Sequence, residues 1–243
     1  MSEKKYREET GKFLTEGVRL CEEAGRAGRV DEAYFTAEAI EKYGERLRKI
    51  LETANTVREV SQEVIEKISD TKNPQGIVCV CKKLDNCDYL DKINSNGKYI
   101  VMAGVSDPGN AGTIIRTADA LGVSGVIMTE DCVDIYSPKT VRATMGSIFH
   151  IPIVQIGDDE ELLKFLKRSG IKSYAATLSD DSSDISKVKF ENGSAVLIGN
   201  EANGLSGFLS ENSDFRIKIN MKGEAESLNA ASAAAIITYC LMR

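Results

Sequence analysis

Lys98-Tyr-Ile-Val-Met-Ala-Gly-Val105-Ser-Asp-Pro-Gly-Asn110-Ala-Gly-Thr-Ile-Ile-Arg116-Thr-Ala118 reads as an apolar strand, a tight polar turn and the start of a helix. The strand, 98–105, is almost continuously apolar rather than alternating. Such a strand is buried on both faces, as in a parallel sheet with helices on either side. The pattern continues with a helix over 111–121, strand 123–129, helix 139–148, strand 151–156, helix 159–168, strands 172–176, 195–198 and 215–219, and a last helix over 228–241. Apolar strands alternating with helices predict an α/β domain with a parallel sheet. Ligands of such sheets sit beyond the carboxyl ends of the strands, so the chemistry is sought in the loops that follow them.

Upstream the pattern is that of a smaller α/β unit. Helical spacing over 6–27 sets Phe13, Leu14, Val18 and Cys21 on one face. A short strand over 33–36, a helix over 37–51 and an amphipathic helix over 56–68 (Val57, Val60, Val64, Ile68) follow. The turn Asn73-Pro-Gln-Gly76 then leads into a strand over 77–81. The expected organisation is a domain over 1–81, a polar linker over 82–97 and a larger domain over 98–243.

Composition narrows the function classes. The first nine residues are densely charged, which predicts no secretory signal, and the longest apolar run, 230–242, is too short and too rich in Ala and Ser to span a bilayer. The six cysteines predict free thiols in a reducing, cytoplasmic setting. Cys79, Cys81 and Cys87 lack the usual zinc spacing and read as small apolar residues of a strand and its flank. A net charge of −6 argues against non-specific coating of nucleic acid but leaves a structured RNA open. His150 is the only histidine and sits at a strand entrance, where a structural role is favoured; this argues against hydrolase triads, excludes a His-rich metal site, and no metal is expected.

Three loops combine Gly, Asn, Asp, Glu and Ser after an apolar strand: 106–110, 199–204 and 220–229. None is a Walker loop or a G-x-G-x-x-G dinucleotide turn. In the first, Asp107-Pro108-Gly109 sets a turn and Asn110 is the expected helix cap. Ile114, Ile115, Ala118 and Leu121 form the expected buried face of the helix, which leaves Thr113, Arg116 and Ala120 off it.

Together these loops resemble the three signature motifs of the SpoU (TrmH-like) branch of the SPOUT methyltransferases. The matching stretches are Val105-x-Asp-Pro-x-Asn-x-Gly-x3-Arg-x-Ala118, Leu197-Ile-Gly-Asn-Glu-x2-Gly-Leu205 and Ile219-x-Met-x-Gly-x2-Glu-Ser-Leu-Asn229. Phe13-Leu-Thr-Glu-Gly-Val-Arg-Leu20 with Pro74-Gln-Gly-Ile-Val78 resembles the amino-terminal α/β/α substrate-binding domain of the ribosomal-RNA members. The resemblance implies a trefoil-knotted catalytic domain, S-adenosylmethionine as cofactor, 2'-O-methylation of ribose in RNA rather than DNA, and a homodimer with active sites at its interface. Ribosomal RNA is the expected substrate. Transfer RNA, or RNA binding without catalysis, are the alternatives. By motif position Arg116, Asn110, Ser227, Asn229 and Glu201 are the candidate catalytic residues, with Glu201 mainly holding its loop. Gly199, Ile219 and Leu228 are the candidate cofactor contacts, and Arg142 and Arg19 candidate substrate contacts. The third motif departs from the family pattern at Asn220, which stands where Pro is usual, and in the Ala-rich start of the last helix.

Overall fold

The computed structural model describes residues 3–84, 89–90 and 93–243. The chain divides into two compact units, one of residues 1–85 with 134–150 and the other of residues 86–133 with 151–243. The expected linker lies partly outside the described residues, as does Cys87.

The first unit holds a four-stranded sheet of β1 (Lys12–Glu16), β2 (Val30–Phe35), β3 (Thr56–Glu59) and β4 (Ile77–Lys82) in the order β1-β4-β2-β3. Only the β2–β3 pair is parallel. The expected helix over 6–27 is instead helix Lys4–Thr10, strand β1 and helix Val18–Arg26. Glycines decide this, because Gly11 (φ 64°) ends the first helix in the left-handed region and Gly17 (φ 82°) turns the chain into the second. Phe13 and Cys21 are both fully buried, but from a strand and a helix. The expected helix over 56–68 likewise resolves into edge strand β3 and helix Gln62–Ile68, leaving Val57 and Val64 exposed.

Phe13 packs between Tyr136 and Phe149, at ring-centroid distances of 4.8 and 6.0 Å. The fully buried Arg7 pairs with Asp134 at 2.6 Å. The expected helix over 139–148 stops at Thr144, where Met145 (φ 53°) and Gly146 (φ 103°) reverse the chain before a 3-10 turn over Ser147–Phe149. Cys79 and Cys81 are buried and free. A bonded Cys21 thiol and burial push Cys79 up, and burial pushes Cys81 up, so neither forms a thiolate readily.

The second unit is built on a seven-stranded, wholly parallel sheet. Its strands are β5 (Lys98–Met102), β6 (Gly125–Thr129), β7 (Ile153–Ile156), β8 (Lys172–Ala176), β9 (Ser183–Asp184), β10 (Ser194–Ile198) and β11 (Phe215–Lys218), in the order β7-β6-β5-β10-β8-β11-β9. Every residue of β6 and β10 is buried, which is why these strands read as unbroken apolar runs. Burying each large apolar side chain contributes roughly 1.5–3 kcal/mol. Strand β9 and helix Gly207–Asn212 had no clear signal in the sequence.

This strand order positions the site. β5, β10, β8 and β11 are neighbours in that sequence, so the loops leaving their carboxyl ends converge at one edge of the sheet. Helix Ala230–Met242 packs along helix Pro108–Ala120. Ala231, Ala234, Ala111, Gly112 and Ala118 are buried on the two helices, small enough for close approach. Among the described residues no helix is long and apolar enough to cross a membrane.

Candidate active site

The first loop is organised by a cap on helix Pro108–Ala120. Asp107 Oδ1 accepts the Asn110 backbone N–H at 2.8 Å and Pro108 occupies the first turn. The cap is therefore Asp107, not Asn110 as expected, because an extended residue three positions ahead of the N–H has the right reach. The side chain of Asn110 is left for longer-range bonds.

Those bonds join all three loops. Asn110 Nδ2 donates to Glu201 Oε1 at 3.0 Å, and Asn110 Oδ1 accepts from Asn229 Nδ2 at 3.0 Å. Asn229 Oδ1 in turn caps the last helix, accepting from the N–H groups of Ala231 (2.9 Å) and Ser232 (3.2 Å). Glu201 also accepts from the Ser106 N–H (3.1 Å), the Ser106 hydroxyl (3.0 Å) and the Asp107 N–H (3.1 Å). Desolvation pushes its carboxyl up, but the Asn110 amide and the backbone N–H groups of Ser106, Glu201 and Asp107 outweigh this and bring its pKa down to about 2. Glu201 is thus a fixed anion tying the second loop to the first, with no proton to give at neutral pH.

Asn200, a fixed position of the second motif for which no role was expected, does comparable work. Its Nδ2 donates to Gly104 O (2.8 Å) and Ser106 Oγ (3.2 Å), while its Oδ1 accepts from the N–H groups of Ala202 and Asn203. Paired backbone bonds of 2.9 Å between Asn200 and Gly204 close the turn. Its place at a strand end, where an Asn side-chain turn is favoured, accounts for the local half of this role. Gly199 lies against the far side of that turn, where a Cβ would overlap the Gly204 carbonyl carbon and the Leu205 nitrogen.

Two adjoining concavities open beside this framework. The first, of about 390 Å³, has walls from Leu178, Ile198, Leu205, Ile219, Leu228 and Ile237, with Gly199 in its lining. Its volume lies within the ~300–1,000 Å³ usual for small-molecule sites. The second is polar and formed by Asp107, Asn110, Glu201, Ser227 and Asn229 with Leu228 and Ala230. Glu201, Ser227, Leu228 and Ala230 border both. The structure therefore brings Asn110, Glu201, Gly199, Ile219, Ser227, Leu228 and Asn229 together. An apolar slot lined in part by half-buried Gly199, opening onto amide and hydroxyl groups, fits an adenosine with a polar tail.

Arg116 stands apart. It is exposed on helix Pro108–Ala120, lines neither concavity, and makes no hydrogen bond or ion pair among the described residues. In the other unit Arg19 is also exposed and without such a partner, at the start of helix Val18–Arg26. The structure does not present Arg142 as a free phosphate ligand. Its Nη2 is bound to Asp70 at 2.6 Å and its Nη1 lies 3.9 Å from Glu16. His150 Nε2 lies 3.1 Å from Glu23 Oε2. No metal-binding group of His, Cys, Asp or Glu occurs among the described residues. Asn220 uses the side chain that Pro would lack, donating to Asp184 at 2.6 Å.

The depressed Glu201 pKa makes a testable link to stability. A lowered carboxyl contributes stability that is present above its ordinary value of 4.5 and is lost as pH falls towards about 2. Glu201→Gln is expected to lower stability at pH 7 by on the order of 1 kcal/mol, discounted for solvent exposure. In thermal unfolding series from pH 7 to 2, the gap between the two proteins should close between about 4.5 and 2. A gap constant with pH would show that the carboxylate bonds contribute nothing specific.

Comparison with known proteins agrees with this arrangement. Residues 97–239 match the SpoU rRNA Methylase family, and residues 1–79 match the MRM3-like substrate binding domain. The chain is 34% identical to the 23S rRNA (guanosine(2553)-2'-O)-methyltransferase RlmP of Bacillus subtilis over 98% of this chain and 91% of that protein. It is 31% identical to the 23S rRNA (uridine(2479)-2'-O)-methyltransferase of Streptomyces viridochromogenes, over 98% and 84%. Among solved structures, an AdoMet-bound rRNA methyltransferase from Sinorhizobium meliloti superimposes with a TM-score of 0.87 at 32% identity, covering 99% of this chain and 90% of that one. With both parts of the chain matched and the three loops assembled at one sheet edge, the protein belongs to the SpoU rRNA methylase family.

Proposed function

We propose that this enzyme 2'-O-methylates a ribose of ribosomal RNA in the cytoplasm, working as a homodimer. Family membership makes it a methyltransferase that uses S-adenosylmethionine. The observation that carries the site assignment is the Glu201–Asn110–Asn229 relay, which fixes three loops around an apolar slot that opens onto a polar pocket. The substrate reading rests on the match of residues 1–79 to a substrate-binding domain and on the relatives' shared target, 23S rRNA. Free cysteines fit a reducing compartment.

When bound, the cofactor supplies an electrophilic methyl group for in-line displacement by the ribose oxygen. The protein's part is alignment and exclusion of water. The relay holds Ser227 and Asn229 at the polar pocket, where hydroxyl and amide suit a ribose or phosphate. Gly199, Ile219 and Leu228 form the adenosine slot. Arg116 stabilises the oxygen as it loses its proton, since a guanidinium stays protonated in proteins and makes a poor base. The proton passes to a substrate phosphate or to water. Because Arg116 lines neither concavity of its own chain, it serves the pocket of the second copy. Exposed Ile236 (41%) and Tyr239 (60%), on the helix packed against the one that carries Arg116, supply an apolar face for that contact.

The trefoil knot belongs to the same reading. It is supported by the return of the last segment to the first loop through Asn229 and Asn110, and by Lys98 Nζ donating to Leu241 O at 2.6 Å.

The decisive experiment transfers labelled methyl from S-adenosylmethionine to unmodified ribosomal RNA and maps the product. The expected label lies on a ribose, in an alkali-resistant linkage of ribosomal RNA. Label on a base, or transfer to transfer RNA alone, would overturn the reaction or the substrate respectively.

A further inference from the structure

Loop 177–182 follows β8 and supplies one wall of the apolar slot through Thr177 and Leu178. Leu178 is 63% exposed although it lines the slot. Within the loop, the Ser182 N–H donates to Ser179 O at 3.1 Å, and hydroxyls supply the side-chain bonds: Thr177 Oγ1 lies 2.7 Å from Ser179 Oγ, and Ser179 Oγ lies 2.8 Å from Ser182 Oγ. An apolar side chain at a cavity mouth, with little packed against it, keeps its place only if the loop is fastened elsewhere, because ordering backbone costs entropy.

The Thr177 N–H anchors the start of the loop to Ile217 O of β11 at 3.0 Å, and beyond that point two cations of β11 provide the fastening. Residues two apart on a strand share a face, so Arg216 and Lys218 project together. Lys218 Nζ donates to Ser179 O at 3.2 Å, and Arg216 Nη1 pairs with the Asp181 carboxylate. Arg216 Nε donates to Ser210 O at 2.7 Å, and Ser210 itself lines the slot from helix Gly207–Asn212. One guanidinium therefore joins the loop carrying Leu178 to a second wall of the same cavity. Its donors diverge in a rigid plane, which lets it hold both at once, as a single ammonium does not.

We propose that Arg216 is a positioning residue for the cofactor: by gripping Asp181 and Ser210 together it holds Leu178 across the mouth of the slot, without itself lining it. The inference rests on assigning that slot to S-adenosylmethionine. Its rival is an ordinary exposed ion pair with no consequence for binding.

Asp181→Asn tests the grip at a side chain that is 57% exposed, where the fold is spared. Calorimetric titration of the full chain with S-adenosylmethionine is expected to show Kd raised about tenfold. KM for the cofactor should rise more than kcat falls, RNA affinity should stay unchanged, and Asp181→Glu, which keeps the carboxylate, should recover most of the loss. Unchanged cofactor affinity in Asp181→Asn, beside normal binding by the unaltered chain, would overturn the clamp alone. An equal fall in cofactor and RNA affinity would also overturn it, as the mark of a general lesion. No binding by the unaltered chain would overturn the slot assignment and the clamp with it.

Discussion

Arg116→Ala is expected to lower kcat about 10²–10³-fold, the loss typical of removing one donor that stabilises a developing oxyanion. Stability should hardly change, because the side chain is exposed and makes no hydrogen bond or ion pair among the described residues. Cofactor affinity should also survive, since Arg116 is not part of the slot. Single-turnover methyl transfer with calorimetry on the same variant separates these effects, and a parallel loss of cofactor binding would show that the arginine belongs to the slot. Two further readouts fix its role and its owner. A pH–rate profile should show no arginine-linked ionisation; one that disappears in Arg116→Lys would make the residue a base. Mixing Arg116→Ala subunits with Asn229→Ala subunits should restore about a quarter of the activity, because half of the randomly exchanged dimers then contain one intact shared site. No recovery would mean that each chain uses its own arginine.

Gly199→Ala is the second large effect. The added methyl would overlap the backbone of Gly204 and Leu205, and backbone cannot swing aside as a long side chain can. The turn behind it is closed by two backbone bonds and by Asn200, so it yields little. Strain of this kind costs roughly 1–3 kcal/mol. Relieved by displacing the turn from the slot, it corresponds to a 10–100-fold loss of cofactor affinity. Equilibrium binding and a denaturant titration on one preparation check both quantities. Wild-type affinity in Gly199→Ala would place the cofactor somewhere other than against this turn.

The amino-terminal unit shows where periodicity misleads. Phe13, Leu14, Val18 and Cys21 fit a helical spacing, yet the chain there is helix, strand and helix. Spacing reports which residues are buried, and two glycines with positive φ decide the path between them. Arg142, a candidate substrate contact, pairs with Asp70, a partner 72 positions away that no local spacing announces.

What the sequence determined by itself is local. Unbroken apolar runs over β5, β6 and β10 specify strands buried on both faces, and polar, Gly-containing loops after them mark where a ligand can sit. The residue types of the three loops follow from the same kind of reading, since capping and turn formation act over a few residues. Tertiary structure alone decided how the loops work together. Placing β10 beside β5 brings Glu201 to residues 106–110, and the return of the last helix brings Asn229 to Asn110 across 119 positions of chain. That strand order made Asn110 the bridge between loops, set Asn200 against residues 104–106 and left Arg116 outside its own chain's pocket. None of these has a sequence period, because hydrogen bonds between loops depend on which strands are neighbours in space.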